Sequence, residues 1–194
     1  ESIKFEAGIN TGMMNSMTDL GGKAGKGGKF AKDYAWSTTH MAYGAYAAAM
    51  YKNIVGLRLE ATFGNVSGND NTDGIKYATP WNDFYQIRQN RNLSFQSKIN
   101  EFALLAEFHP LGLFTEASDE LQDGPPISPY VMAGIGMYSF NPQAYNQFGD
   151  LVDLQPLCTE GQGFREYGDR KPYKLRQMNI PMGLGVKFNL SNTF

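Results

Sequence analysis

The chain of 194 residues contains a single cysteine, Cys158, so it forms no internal disulfide bond and the class of small disulfide-rich domains is excluded. Its 2 histidines are too few for a histidine-rich metal site. No run of about 18 apolar residues is present, which excludes a membrane protein built from spanning helices. The 17 basic and 19 acidic residues give a net charge of −2, so the chain lacks the basic field that a nucleic-acid-binding protein requires.

The chain is instead rich in glycine, with 22 residues, and in aromatic residues, which make up 13%. Charged residues make up 19%, below the roughly 25% that is usual in a soluble domain. Its length suits one domain that spans residues 1–194. The sequence begins at Glu1 without a basic and apolar leader, so we expect that a signal peptide has already been removed.

The dominant pattern is an alternation of apolar and polar residues with a period of two. It is clearest over residues 55–63, where every odd position is apolar and the even positions include Arg58 and Glu60. A helix would place apolar residues three and four positions apart, so the pattern predicts strands. Six strands are predicted, over residues 4–13, 40–51, 55–63, 101–108, 130–138 and 178–190.

The predicted strand over residues 40–51 has a helical alternative, because its alanines favour a helix on propensity alone. Gly44 and the tyrosines of this segment suit a sheet better. The Lys52-Asn53 pair also predicts a tight turn that leads directly into the clearest strand. A strand is therefore the favoured interpretation.

The composition of the two strand faces distinguishes a soluble sheet from a membrane barrel. A soluble barrel such as a lipocalin fills its interior with apolar side chains and carries its charges outside. Here the apolar face is continuous and holds small and medium residues, whereas glycines and charges occupy the other face. The sequence therefore predicts an all-β fold, an antiparallel up-and-down transmembrane β-barrel with eight strands in the full protein and about six in this chain.

The predicted loops alternate in length, which indicates an orientation. They are long, short, long, medium and long in turn, and they cover residues 17–38, 52–53, 67–92, 109–128 and 141–173. Outer-membrane barrels place long loops outside the cell and short turns in the periplasm. We therefore predict an integral protein of the bacterial outer membrane with a periplasmic N-terminus.

Five charged residues fall on the face opposite the apolar one. In a narrow barrel they would face the lumen and pair with each other, because an unpaired buried charge is costly. A catalytic carboxylate pair or an ion path stays open as an alternative, but no Ser/His/Asp set or cofactor motif accompanies these charges, so neither enzymatic activity nor a cofactor is expected. The predicted lumen-facing charge network, with at least one ion pair, consists of Arg58, Glu60, Glu101, Glu107 and Lys187.

A glycine- and lysine-rich run over residues 21–29 lacks the GxxxxGK[ST] spacing of a phosphate-binding loop, so it is interpreted as a surface loop.

The sixth predicted strand ends at Leu190, and Ser191-Asn192 is interpreted as a turn. Because single-chain outer-membrane barrels have at least eight strands and tolerate no open edge in lipid, we expect a further hairpin that closes onto the first strand. The first and sixth strands should then lie at opposite edges of an open sheet, about 10 Å apart.

Seven segments share a more specific pattern: NSMTDLGGK at 15–23, GLRLEATFG at 56–64, EFHPL at 107–111, PYVMAGIG at 129–136, FNP at 140–142, LQPLCTEGQG at 154–163 and IPMGLGVK at 180–187. Together they resemble the PorG-like outer-membrane β-barrels of Bacteroidota, through essentially the whole chain. Cys158 departs from the family's loop motif, in which a glycine is expected. The candidate site residues in that loop motif are Leu154, Gln155, Pro156, Thr159, Glu160, Gly161, Gln162 and Gly163.

The resemblance implies a function that composition does not. It implies a non-enzymatic anchor or scaffold of the type IX secretion system, which exports proteins and supports gliding motility. The implied partners are outer-membrane lipid and the periplasmic ring of the PorK lipoprotein and PorN, with no small-molecule substrate. Two alternatives stay open: a stand-alone barrel of OmpA or OmpX type in adhesion or envelope integrity, and a narrow solute channel.

Overall fold

The alternating segments form strands of a single sheet. The structure is a computed structural model that describes residues 3–18, 20, 36–70, 91–115, 126–159 and 161–188. All pairings between the described strands are antiparallel, so the predicted antiparallel all-β fold is confirmed. The strands are β1 (Ile3–Met14), β2 (His40–Tyr51), β3 (Val55–Asn69), β4 (Ser94–Phe108), β5 (Ile127–Tyr145), β6 (Leu151–Asp153), β7 (Arg176–Asn179) and β8 (Met182–Phe188).

Strands β1 to β5 follow one another across the sheet in chain order. The alanine-rich segment is strand β2, as the favoured interpretation predicted. A tight turn joins β2 to β3, in which Lys52 and Asn53 have φ values of 53° and 55°. Positive φ at both central residues is the geometry of the hairpin turn whose twist matches that of its strands. The amide of Ile54 closes this turn by donating to the carbonyl oxygen of Tyr51 at 3.0 Å.

Three shorter strands pair with the far side of β5, namely β6, β7 and β8. The sequence predicted one continuous strand over 178–190, and this prediction is wrong at Pro181, which separates β7 from β8. Proline has no amide hydrogen to donate to a sheet and is found on edge strands for that reason. Its carbonyl oxygen still accepts the amide of Gly134 at 3.0 Å, so β7 and β8 follow the same course along β5.

The predicted loops also need correction, because pairing extends beyond the alternating segments. Residues 141–173 are not a loop throughout, since β5 continues to Tyr145 and turns back into β6. Likewise, β3 continues to Asn69 and β4 begins at Ser94. The glycine- and lysine-rich run, Glu160 and Leu190 lie outside the described residues. In the described part of the chain, no helix is long and apolar enough to span a membrane.

The two faces of the sheet differ sharply, and we call them the apolar face and the polar face. The apolar face is exposed: Ile9 is 90% accessible and Leu59 is 62% accessible. The polar face carries the glycines and the charged side chains and is half-buried or buried. The few buried apolar residues among those described lie on the polar face and are small or medium in size, namely Ala42, Ala48, Met50, Ala103 and Leu105.

Glycines on the polar face make room for large side chains of the neighbouring strand. Tyr46 lies over Gly8, its partner in the β1–β2 register, so that a Cβ on this glycine would touch the tyrosine ring. Tyr130 lies over Gly185 in the same way, between β5 and β8. These pairs let bulky residues lie flat on a bent sheet, which is a known device for introducing curvature.

The sheet bends toward its polar face until the side chains of its two edges meet. Strands β1 and β8 lie at opposite edges, as predicted, and no backbone bridge joins them within the described residues. Lys187 of β8 nevertheless forms an ion pair with Glu6 of β1. Two extended side chains of this kind can cross a gap of about 10 Å, which equals two inter-strand spacings.

Gly134→Ala is expected to destabilise the sheet by about 2 kcal/mol. A Cβ on Gly134 would overlap the carbonyl oxygen of Leu104, and a backbone atom within a strand cannot move aside as a flexible side chain can. Gly12→Ala is the matched control, because no heavy atom lies within 4 Å of the corresponding Cβ. Urea unfolding compares the two variants, and equal free energies of unfolding would contradict the close approach of β4 and β5.

Candidate functional site: a charge network on the polar face

Arg58 is the centre of the largest cluster of charged groups on the polar face. Since Arg58 and Glu60 lie two residues apart on β3, their side chains point to the same side of the sheet. The Arg58 Nε donates to Glu60 Oε2 at 2.7 Å, and its Nη1 donates to Glu107 Oε1 of β4 at 3.3 Å. The side chains of these residues are 12%, 17% and 7% accessible respectively. The guanidinium is therefore shared by two carboxylates from neighbouring strands.

An aromatic ring covers the third side of Arg58. The guanidinium carbon lies 3.7 Å from the centre of the Tyr46 ring, in a cation–π arrangement. This ring is the one that lies over Gly8. The small residue on β1 therefore determines where Tyr46 lies, and Tyr46 in turn fixes the position of the guanidinium.

The cluster extends from Glu60 toward β1. Glu60 Oε1 accepts a hydrogen bond from Asn10 Nδ2 at 2.6 Å and one from Thr62 Oγ1 at 3.4 Å. Strand β2 lies between Asn10 and Glu60, and its residue at this level is Gly44, which leaves space for the bond to cross it. The hydrogen bonds therefore connect β1, β3 and β4 across the bent face.

The cluster also extends from Glu107 toward β5. His109 Nε2 lies 3.3 Å from Glu107 Oε2, and His109 Nδ1 lies 2.9 Å from Ser128 Oγ. The imidazole stacks on the Tyr130 ring with a centroid distance of 5.0 Å. Since His109 is two residues beyond Glu107, it continues the polar phase of β4 past the end of the strand.

The Ser128–His109–Glu107 chain has the order of a hydrolase triad, but its position does not suit catalysis. A nucleophilic serine must reach its substrate, and Ser128 is only 5% accessible. Glu107 also serves Arg58, so its charge is not reserved for the histidine. Within the described residues, no group of His, Cys, Asp or Glu side chains is placed to hold a metal ion. The hydrogen bonds of this chain tie β3, β4 and β5 together.

The other two predicted network residues lie on the polar face but outside this cluster. Glu101 accepts a hydrogen bond from Asn179 of β7, and Lys187 pairs with Glu6 across the sheet edges. A small cavity of about 90 Å³ lies beside Glu60 and Glu101. The structure therefore brings three of the five predicted residues together and places the remaining two at contacts between β4 and β7 and between β1 and β8.

Sequence reasoning missed several members of the network. Asn10 and Tyr46 lie in the polar phase of their strands, so the alternation itself marks them. His109 and Ser128 were not predicted, because one follows β4 and the other begins β5, where the alternation is weakest. Because residues two positions apart on a strand point to the same face, the position of Glu107 could have predicted that His109 also lies on the polar face.

The loop motif over residues 154–163 is folded against β5 and the segment before β7. The amide of Leu154 donates to the carbonyl oxygen of Pro142 at 2.8 Å, and Gln155 Nε2 donates to the carbonyl oxygen of Tyr173 at 3.2 Å. A 3₁₀ turn, Gln155–Leu157, follows with Pro156 in its first positions. Thr159 is exposed, Gln162 is buried, and Glu160 is outside the described residues.

The glycines of this motif occupy positions that other residues rarely adopt. Gly161 and Gly163 have φ values of 77° and 80°, and a Cβ on Gly161 would overlap the ring of Tyr167. Cys158 also lies in the left-handed region, with φ 49° and ψ 45°. This is the position at which the family resemblance leads one to expect glycine, and the backbone conformation gives the physical reason.

Cys158→Gly is expected to stabilise this loop by about 0.5 kcal/mol, the balance between relieved left-handed strain and the greater flexibility of glycine in the unfolded chain. Trypsin cleavage at Arg165 and Arg170 should then slow about twofold. Cys158→Val, which adds a branched side chain at the same φ, should accelerate cleavage about fivefold. Equal cleavage rates for the two variants would contradict the assigned backbone conformation.

Comparisons of the chain with protein-family models, with curated proteins and with solved structures found no match.

Proposed function

We propose that this protein is an integral β-barrel of the bacterial outer membrane that acts as a non-enzymatic anchor or scaffold of the type IX secretion machinery. The observation that carries the membrane assignment is the inverted polarity of the sheet, in which the apolar side chains are exposed and the charges are buried. Exposing this apolar face to water would be costly in free energy, whereas contact with the hydrocarbon of a membrane would avoid that cost.

The height of the apolar face supports a membrane-spanning wall. The apolar positions from Val55 to Phe63 cover nine residues of β3, about 27 Å of strand, which a tilt of about 40° reduces to about 21 Å of membrane depth. This is close to the band of about 25 Å that outer-membrane barrels present to lipid. On the same face, polar residues follow at Asn65 of β3 and at Asn100 and Lys98 of β4.

The charge network supports a structural role over that of a channel. It crosses the polar face from Asn10 on β1 to Ser128 on β5, and a separate ion pair links Lys187 to Glu6. Paired groups that cross a narrow lumen would obstruct ions. Single-channel recording tests this point directly, since a steady open conductance would favour the channel alternative.

The secretion role is supported by the sequence resemblance. The loop motif that contributes to the resemblance is folded against β5, which gives its glycines and Gln155 a defined structural purpose. On the proposed orientation, the β2–β3 turn and the helical turn Gly112–Thr115 face the periplasm. These turns would be available to the ring of PorK and PorN type.

Co-purification from native membranes tests the secretion role. The tagged protein should retain ring proteins of the PorK and PorN type after mild detergent extraction. A short epitope inserted at Gly112–Thr115 should reduce this recovery, whereas the same epitope at the β5–β6 turn near Phe148, on the opposite end, should leave it unchanged. If the ring proteins are absent from the unmodified protein's eluate, the stand-alone barrel replaces the secretion component as the function.

A further inference from the structure

The apolar face carries an open groove that runs across the strands. The groove extends from Ala45 and Ala47 on β2 to Met178 on β7, between two rows of outward-pointing side chains. Its volume is about 680 Å³. Small side chains at Ala45, Ala47 and Ala61 make the depression. Larger ones border it, namely Leu59, Phe102, Leu104, Ile135 and Met137.

A polar and cationic rim lies immediately beyond this groove on the long-loop side. Phe102, Met137 and Met178 are neighbours in register, and two residues further along each strand the same face presents Asn100, Ser139 and Arg176. Asn100 Nδ2 donates to Ser139 Oγ at 3.3 Å, which places both side chains on this rim.

Lys98 lies one further step along β4, opposite Asn141. Lys98 and Arg176 are both exposed. Two inter-strand spacings and an offset of two residues along the strands separate their backbones by about 12 Å. We call them the rim pair.

The charges around the rim pair leave it available to an anion. Neither Lys98 nor Arg176 forms an ion pair with another described residue. The carboxylate of Asp153 lies beyond Lys98 and accepts hydrogen bonds from Asn141 at 2.9 Å and from Gln143 at 2.7 Å. From the long-loop side inward, the same face therefore presents first Lys98, then Arg176 level with Asn100 and Ser139, and then the apolar groove.

We propose that the groove and the rim pair form a binding site for a phosphorylated, multiply acylated lipid of the outer leaflet, of the lipid A type. The phosphate lies between Lys98 and Arg176, and an acyl chain lies in the groove. The groove spans about 19 Å across four inter-strand spacings, and the strand tilt of about 40° inclines it by about 12 Å along the membrane normal, within the depth of about 15 Å of one leaflet. The inference rests on the proposed membrane insertion, and the long-loop side faces the leaflet in which this lipid resides.

Native mass spectrometry of the full chain, folded in detergent micelles and titrated with lipid A, tests the site. The unmodified protein should retain lipid A in preference to its dephosphorylated form. The double variant K98Q/R176Q should bind about thirtyfold more weakly, because each basic residue at an anionic membrane surface contributes about 1 kcal/mol and 1.4 kcal/mol corresponds to a factor of ten. Lys52→Gln, an exposed lysine at the opposite end, is the matched control and should bind as the unmodified protein does.

A second pair of variants tests the groove. Ala47→Phe fills it and should weaken lipid A binding, whereas Ala133→Phe, an outward alanine of β5 that does not line the groove, should not. Inorganic phosphate at equal concentration should fail to displace lipid A, since it makes no apolar contact. Displacement by phosphate, or equal binding by K98Q/R176Q and the unmodified protein, would overturn the inference.

Insertion of the same preparation into lipid vesicles separates this inference from the proposed function. A protein that inserts without preference for lipid A contradicts the lipid site alone. A protein that does not insert contradicts the membrane assignment, and the lipid site with it.

Discussion

Arg58→Met is expected to reduce the free energy of unfolding by about 3–5 kcal/mol, the usual consequence of removing one partner from a buried ion pair. The substitution leaves the carboxylates of Glu60 and Glu107 without the cation they share, at accessibilities of only 17% and 7%. It also removes the cation that lies over the Tyr46 ring. Urea titration of the folded protein in lipid vesicles measures the change.

Two further variants make this result specific. R58M/E60Q/E107Q removes the whole charge set and should recover most of the stability, because neutral groups need no counter-ion. Arg165→Met applies the same substitution to an exposed arginine outside the rim pair and should change stability by less than about 0.5 kcal/mol. A change of that small size for Arg58→Met as well would show that Arg58 does not hold the network together.

Leu59→Arg is expected to reduce the stability of the inserted protein by about 2–4 kcal/mol, the cost of a basic residue near the bilayer midplane on the lipid-facing side of a barrel. Leu59 lies in the middle of the apolar positions of β3 and is 62% accessible. The same substitution in a soluble protein at so exposed a site would cost little. Urea unfolding from lipid vesicles gives the value.

Asn65→Arg is the matched control, since Asn65 lies on the same strand and face but beyond the apolar positions. It should change stability by only about 0–1 kcal/mol, as expected near the membrane interface. Equal losses of stability for Leu59→Arg and Asn65→Arg would contradict a lipid-contacting band that is limited to the apolar positions of β3.

The alternation of the sequence predicted strands well where one face is apolar and the other is not. It predicted β1 and β2 closely, because their apolar phase persists to the ends. It underestimated β3 and β4, because the apolar face becomes polar beyond Phe63 and from Asn100 toward Ser94 while the backbone pairing continues. Pairing of this kind is set by the neighbouring strand, so the sequence of a single strand gives no signal for it.

The same limit applies to the charge network. The phase of each strand predicted that Arg58, Glu60 and Glu107 share a face, but contacts between strands depend on register. Arg58 lies opposite Leu105, so its guanidinium reaches Glu107 on a diagonal, whereas Glu101 lies opposite Thr62 and contacts β7 instead. Register depends on the whole sheet, which explains why three predicted residues meet and two do not.

The most direct test of the membrane assignment is a spin-label scan of β3 in lipid vesicles. Single cysteines are introduced at each position of 55–65 in a Cys158→Ser background, and collision rates are measured with oxygen and with a water-soluble nickel complex. The account predicts oxygen maxima at the odd positions 55 to 63, minima at the even positions, and a change to nickel accessibility at position 65. Nickel accessibility at the odd positions 55 to 63, or collision rates without a period of two, would contradict it.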